Sequence, residues 1–375
     1  MTRLLVVNTG SSSLKWTVLT EDLQVVAGAD EPWQTAVREG RRQQTRAALA
    51  RAPAFDHVAH RIVHGGTRFR GPVRIDADVR ARLEELVALA PEHMRVALDA
   101  VDACCTAFPD APALAVFDTA FHATLGEAAA GYGLPFEWSE RFGLVRFGFH
   151  GLSVAYAVER ARALLGVLPA RLIVCHLGSG SSITAVEHGR SIDTTMGFSP
   201  LEGVMMATRS GSLDPGLVLY LQQHCGIGLD ELRETLASRS GLRGVSGLSG
   251  DLREILAAAD RGDARAQLAY ERFVLSLVRA VGALTAVLRG VDAIVFTGGI
   301  GENSARVRRD VARSVSYCGL QLSDRANVQA HGDADVASPD SRGRILVVRA
   351  REDLAIQAAL SRMLESGAAS APAVD

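Results

Sequence analysis

The sequence predicts an α/β chain made of two similar lobes, and three observations carry that expectation. The first is an internal repeat. Residues 172–186 read Leu-Ile-Val-Cys-His-Leu-Gly-Ser-Gly-Ser-Ser-Ile-Thr-Ala-Val, and residues 4–18 read Leu-Leu-Val-Val-Asn-Thr-Gly-Ser-Ser-Ser-Leu-Lys-Trp-Thr-Val. Each is an apolar run, a Gly/Ser turn and a second run, the pattern of strand, tight loop and strand. Laid over each other, Leu4 meets Leu172, Gly10 meets Gly178, Ser13 meets Ser181 and Val18 meets Val186. The second observation is that short apolar strands alternate with helical stretches along the rest of the chain. The third is length: 375 residues suffice for two domains and a large core.

After the first hairpin, residues 35–51 have helical composition. Residues 58–63 are a β-branched strand that runs into the turn His64-Gly65-Gly66. Residues 78–90 carry Val79, Leu83, Leu86, Val87 and Leu89 at helical spacing behind an aspartate cap at Asp78. A second helix is expected over 96–108. Ala113–Phe117 reads as a buried strand ending at Asp118, the strand end where α/β sites lie. Phe-Gly-Phe-His-Gly at 147–151 is a loop before a helix over 153–165. The second hairpin opens a strand-rich region that continues through 189–197. Helices are expected at 216–223, 229–237, 252–260 and 264–288. Residues 293–297 are a buried strand opening onto Gly298-Gly299-Ile300-Gly301-Glu302-Asn303, with a helix beyond. A strand at 344–348 and a helix at 354–364 close the fold, and the Ala/Ser/Pro-rich tail 366–375 is expected to fray.

Bulk composition excludes several classes. The formal net charge of −2 gives no basic field for nucleic acid. Met-Thr-Arg before residues 4–7 leaves too short an apolar run for a signal peptide, and the longest apolar helix candidate, 273–288, contains Arg279 and is too short to span a bilayer. No membrane role is expected. The five cysteines form no Cys-x-x-Cys pair, which fits a reduced cytoplasmic setting. Of the 40 Lys and Arg residues, Lys15 alone is lysine. It follows a Gly/Ser loop, where a compact ammonium and a planar guanidinium differ most.

The chemistry-bearing residues point to phosphate. Two Gly/Ser hairpins offer close backbone approach, N–H donors and hydroxyls. The turn at 298–303 feeds a helix N-terminus, a third anion-friendly loop. It is neither a P-loop nor a Gly-x-Gly-x-x-Gly fingerprint. Arg61, inside a β-rich run before a double glycine, and Arg209, in a small-residue loop, are the cations suited to clamping carboxylate or phosphate. His60 and His64 are four apart, about 13 Å along a strand, and cannot hold one ion together. His122, His150 and His176 sit beside strand ends or loops, and His150 is the least structural of them. A serine nucleophile is disfavoured. Gly178-Ser179-Gly180 runs from strand into strand rather than into a helix, unlike a nucleophile elbow.

Taken together, these motifs resemble the acetate and propionate kinase family, within the actin, sugar-kinase and Hsp70-like superfamily. The matching stretches are residues 7–15, 60–66, 117–122, 147–151, 175–184, 193–203, 208–215, 247–253 and 296–303, in family order along nearly the whole chain. The resemblance implies two duplicated actin-like (ribonuclease H-like) lobes with an interdomain active-site cleft. One lobe would take 1–119 plus 355–375, and the other, nucleotide-binding, 120–354. It also implies ATP, Mg²⁺ or Mn²⁺, a short-chain carboxylate and a cytoplasmic homodimer. By motif position, Asp118, His150 and Arg209 would be catalytic. Arg61, Val63, Phe149 and Pro200 would line the acid pocket, and Asn8 and Glu352 would sit near the metal. Lys15, His176, Leu177, Gly178, Ser179, Gly180, Asp251, Leu252, Arg253, Gly299, Ile300, Gly301, Glu302 and Asn303 would contact nucleotide.

The implied reaction moves the ATP γ-phosphoryl group to acetate, giving acetyl phosphate and ADP and feeding acetyl-CoA biosynthesis. Propionate is a further acceptor in that reading. The alternatives are a kinase for a longer acid such as butyrate, one with another phosphoryl donor, and a nucleotide-switched binding protein without an acid substrate. The chain departs from the family pattern at Ser179, where Asn is usual, and at Met94-Arg95, Leu152, Val154, Ala207 and Arg351.

Overall fold

The structure, a computed structural model, describes residues 2–10, 13–35 and 37–365. The turn residues Ser11 and Ser12 and the tail expected to fray lie outside the described residues. The chain forms two compact units, Met1–Ala123 with Arg351–Asp375, and Thr124–Ala350.

The first unit is built on β1 (Arg3–Thr9), β2 (Ser13–Thr20), β3 (Val25–Pro32), β4 (His57–Ile62), β5 (Val73–Arg74) and β6 (Ala113–Phe117). Their order in the sheet is β3-β2-β1-β4-β6-β5. The second has β7 (Arg171–Leu177), β8 (Ser181–Glu187), β9 (Arg190–Thr194), β10 (Ala293–Thr297), β11 (Ala334–Asp335) and β12 (Arg344–Val347). Read from the β9 edge, its order is β9-β8-β7-β10-β12-β11. The two orders are the same, strand for strand. Strand sense agrees too: β1 runs antiparallel to β2 and parallel to β4, as β7 does to β8 and β10. β4–β6 and β10–β12 are parallel, and the edge strands β5 and β11 are antiparallel. The repeat legible in one hairpin therefore extends over six strands.

The central strands β6 and β10 are buried at every position, the signature of parallel strands covered on both faces. In the first unit Leu5, Val7 and Val58 pack on Ala100 and Cys104 of the helix Pro91–Ala107, and Ile62 and Phe117 pack on Met94. In the second, Ile173, Cys175, Ile183 and Phe296 meet Phe273, Leu277 and Val281 of the helix Ala264–Val287. Asp263 caps that helix by accepting from the N–H groups of Arg265 and Ala266. The last helix, Glu352–Glu365, returns to pack on β1 and β4.

Several element ends differ from the sequence expectation. The helix expected over 78–90 is Ala77–Glu85 capped by Asp76, not Asp78, followed by a tighter turn over Leu86–Leu89. The helix expected over 96–108 starts at Pro91, which is suited to a first turn, and its polar opening residues hide it from apolar spacing. The helix expected over 229–237 ends at Glu234 and widens into a π turn over Thr235–Arg239. At 298–303 the helix begins on Gly298 itself rather than after the turn. All five cysteines are free thiols. No helix among the described residues is long and apolar enough to cross a membrane.

Candidate active site

In the first unit, three adjacent parallel strands deliver polar side chains at their C-terminal ends. β1 pairs with β4 in the register Val7↔His60, so Asn8 and Arg61 are the next residues along their strands. β4 pairs with β6 up to Ile62↔Phe117, and the Asp118 N–H continues the ladder to the Ile62 carbonyl at 3.0 Å. The guanidinium of Arg61 forks onto Asp118: Nε donates to Oδ1 at 3.1 Å and Nη2 to Oδ2. Nη1 donates to Asn8 Oδ1 at 3.1 Å, and Asn8 Nδ2 donates to Glu352 Oε2 at 3.0 Å. Glu352, the first residue of the last helix, lies 3.4 Å from Arg61 Nε. Two carboxylates therefore share one guanidinium. The Asp118 side chain is 2% exposed and that of Arg61 15%. Burial pushes the Asp118 carboxyl up to about 6, Arg61 opposes this, and Glu352 adds to it. Burial works against the Arg61 charge as well, but Asp118 and Glu352 outweigh it and hold the guanidinium above its ordinary value.

Val63 follows β4 and is buried. Lys15 stands opposite Asn8 in the β1–β2 register and pairs with Asp30 at 2.9 Å, both more than half exposed. His60 and His64 are buried, and burial pushes both imidazoles down to about 4. The His64 Nδ1 accepts the Gly66 N–H at 2.9 Å. No group of three His, Cys, Asp or Glu side chains among the described residues could hold a metal unaided.

In the second unit, β7 ends in His176-Leu177 and β8 opens with Ser181-Ser182. The turn between them closes through Gly178 N–H to the Gly180 carbonyl at 3.0 Å. Gly298 sits at φ +77°, and a Cβ there would lie 2.7 Å from the Leu177 carbonyl oxygen. This close backbone approach sets the helix Gly298–Asn303 beside the 177–180 turn. His150, also at positive φ (58°), leads into the helix Gly151–Leu165. Its ring stacks on that of His176 at 4.1 Å and 25°. His150 Nδ1 is 3.0 Å from Ser182 Oγ, and His176 Nδ1 is 2.8 Å from Ser153 Oγ. Arg209 Nη1 donates to the Pro200 carbonyl at 3.4 Å. A Cβ placed on Gly180 would lie 3.3 Å from both Arg209 Nη1 and His150 Nε2. Glycine thus leaves open a small space onto which a guanidinium and an imidazole converge.

The fold brings together His150, His176–Gly180, Pro200, Arg209 and the start of the 298–303 helix. Phe149 is buried next to His150. Ser179 is exposed, and its carbonyl accepts from Ala207 N–H at 3.3 Å. Asp251 is engaged locally: it caps the helix Leu252–Asp260 and pairs with Arg253, whose side chain is 90% exposed, while Leu252 is buried. Gly301 and Glu302 give their carbonyls to the buried Arg308, Glu302 accepts Ala350 N–H on its side chain, and Asn303 Nδ2 donates to the Gly299 carbonyl. Sequence reasoning passed over Ser153, Ser182 and Arg308. The antiparallel register His176↔Ser182 is the signal that places Ser182 beside the histidines. That signal is the hairpin itself, read one pair further along.

The acetokinase family model matches residues 41–358. The chain belongs to the acetokinase family. An acetate kinase of Nostoc punctiforme is 47% identical over 310 residues, covering 82% of this chain and 76% of the relative. The crystal structure of Porphyromonas gingivalis acetate kinase superposes with a TM-score of 0.88 at 32% identity, covering 97% of this chain and 100% of that one. A propionate kinase from Francisella tularensis gives 0.88 and 32%, covering 96% and 99%. The two-lobed α/β fold is the one these family members have.

Proposed function

We propose that the chain transfers the γ-phosphoryl group of ATP reversibly to acetate, giving acetyl phosphate and ADP, with propionate as a second acceptor. The observation that carries this is the convergence of His150 Nε2 and Arg209 Nη1 on the space kept open by Gly180, beside a Gly/Ser turn. Two donors aimed at one point next to an anion-friendly turn suit a phosphoryl group in flight. The likeness to the Francisella tularensis propionate kinase supports the second acceptor.

The chemistry asks little proton movement of the protein. A short-chain carboxylic acid is ionised at neutral pH, so its oxygen attacks without a general base. Catalysis is then alignment and charge stabilisation. Arg61 pairs with the acceptor carboxylate, and Asp118 holds the guanidinium fork in its plane. By motif position Val63 of the first unit, and Phe149 and Pro200 of the second, are the residues assigned to the acid. Arg209 and His150 donate to the equatorial phosphoryl oxygens. The turn 176–180, Asp251–Arg253 and Gly299–Asn303 of the second unit are assigned to the nucleotide, and motif position assigns Lys15 of the first unit to its phosphates.

The oxygen donors of Asn8, Glu352 and Asp118, with two carboxylates against one guanidinium, fit a hard divalent cation. Mg²⁺ is held by one or two carboxylates and keeps waters and phosphate oxygens as its other partners, and the carboxylates of Asp118 and Glu352 suit that role. Bound there, the metal would neutralise phosphate charge, and Asn8 and Glu352 would hold it. Loss of Mn²⁺ binding in Glu352→Gln, read by electron paramagnetic resonance, tests this apart from turnover. Five free thiols support a reducing cytoplasm. Exposed Phe136, Trp138, Leu219 and Tyr220 support a second copy of the chain as partner, which sedimentation measures.

The reaction is tested by trapping acyl phosphate with hydroxylamine in the presence of MgATP and C2 to C4 acids. Acetohydroxamate is expected. Hydroxamate only with butyrate would move the assignment to a longer acid. No hydroxamate with any acid, together with slow ATP hydrolysis, would replace it with a nucleotide-switched binding protein.

A further inference from the structure

Ser182 lies on β8, fully buried, directly across the ladder from His176. Residues opposite each other in an antiparallel pair share a face. The His150 ring covers that same face, stacked on His176, and its Nδ1 meets Ser182 Oγ at 3.0 Å. The ring's other nitrogen, Nε2, faces the Gly180 space beside Arg209 Nη1. The two nitrogens of one imidazole therefore have different duties, and a serine hydroxyl, which can donate or accept, decides between them.

We infer that Ser182 is a positioning residue that donates its hydroxyl proton to His150 Nδ1, so that neutral His150 carries its proton on Nε2 and presents it to the transferring phosphoryl group. The inference rests on the role given to His150 above. A phosphoryl oxygen needs a donor, and a neutral imidazole supplies one at Nε2 only when Nδ1 is an acceptor. The alternative, an imidazolium, would place a second positive charge against the Arg209 guanidinium and the stacked His176 ring. The backbone reinforces the choice. His150 is held at φ 58°, a conformation rarely taken by a non-glycine residue, and its carbonyl accepts the Val154 N–H at 2.9 Å as the helix begins. The ring's position is thus fixed by backbone, stack and hydroxyl together. Ser153 stands in the same relation to His176, at 2.8 Å.

The test pairs two measurements on the full chain. Nitrogen NMR of labelled imidazoles should show His150, assigned by its absence in His150→Gln, as the Nε2–H tautomer. Ser182→Ala should shift that signal toward a tautomer mixture and lower kcat about tenfold, the factor one hydrogen bond contributes, with KM for acetate and ATP within twofold of the native values. Ser182→Thr, which keeps the hydroxyl, should recover most of the loss. An Nδ1–H tautomer in the native protein overturns the inference. So does a Ser182→Ala variant with native kcat, or one changed only in KM. If the native chain makes no acyl phosphate, the role of His150 falls, but the tautomer is still read from the spectrum.

Discussion

Replacing Arg61 by methionine removes the cation that two carboxylates face. The native Asp118 carboxyl stands at about 6 against an ordinary 3.8, raised chiefly by burial while Arg61 pulls it down. A carboxyl whose folded pKa exceeds its unfolded one favours the folded state when protonated. That contribution is complete below about pH 3.8 and is lost as pH rises to the folded pKa, at about 1.4 kcal/mol per pH unit. In the native chain the loss therefore stops near pH 6. In Arg61→Met the folded pKa moves higher and the loss continues. The stability gap between native and variant should widen by up to about 3 kcal/mol from pH 6 to pH 8, two pH units at that slope. This is of the size seen when a buried ion pair loses one partner, about 3–5 kcal/mol. Urea unfolding of both proteins at the two pH values measures it. A gap of equal size at pH 6 and pH 8 would refute the claim that Arg61 keeps Asp118 ionised.

Three further outcomes follow from the second unit. Arg209→Ala should lower kcat roughly 10²- to 10³-fold with a smaller change in acetate KM, because its interaction strengthens as phosphoryl charge develops; a change confined to acetate KM would move Arg209 to acceptor binding. Gly180→Ala puts a methyl group 3.3 Å from Arg209 Nη1 and His150 Nε2. It should cost on the order of 10²-fold in turnover while thermal unfolding stays close to native, and unimpaired turnover would show that this space holds no reacting group. Ser179→Asn restores the longer side chain usual in the family and should lower KM for ATP about fivefold, one added hydrogen bond; an unchanged KM would remove Ser179 from the nucleotide site.

Much of the fold was legible because its signals are local. The Gly/Ser hairpin is written twice in the sequence, and the apolar runs 113–117 of β6 and 293–296 of β10 have no polar interruption. The matching of β3 with β9 and of β5 with β11 was not legible. The edge strands β5 and β11 are two residues each, and β3, eight residues long, has no buried position, since one side of an edge strand is unpaired. Helix starts failed where a polar first turn hides the periodicity, as at Pro91, or where two aspartates compete for one cap, as at Asp76 and Asp78. For the candidate site, Arg61, Asp118, His150 and Arg209 stood out as polar residues at strand ends and in small-residue loops. The serines that hold His150 and His176 did not, because a buried serine in a strand reads as filler until register sets it against an imidazole. Asp251 shows the converse: its position matches a motif, and its side chain is engaged in capping a helix and pairing with Arg253.

The Lys15–Asp30 pair has a consequence for how the chain tolerates its own proposed product. Acetyl phosphate is a mixed anhydride and acylates amines that hold a free lone pair. Guanidinium groups, with pKa above about 12, offer none. All but one of the 40 Lys and Arg side chains are arginine, so the product meets a single side-chain amine, paired with Asp30 at 2.9 Å. Mass mapping after prolonged incubation with acetyl phosphate should find stable side-chain amide formation at Lys15 alone, and more of it in Asp30→Asn, where the ion pair no longer engages the amine. A protein that makes an acylating agent offers it, in this composition, a single side-chain amine.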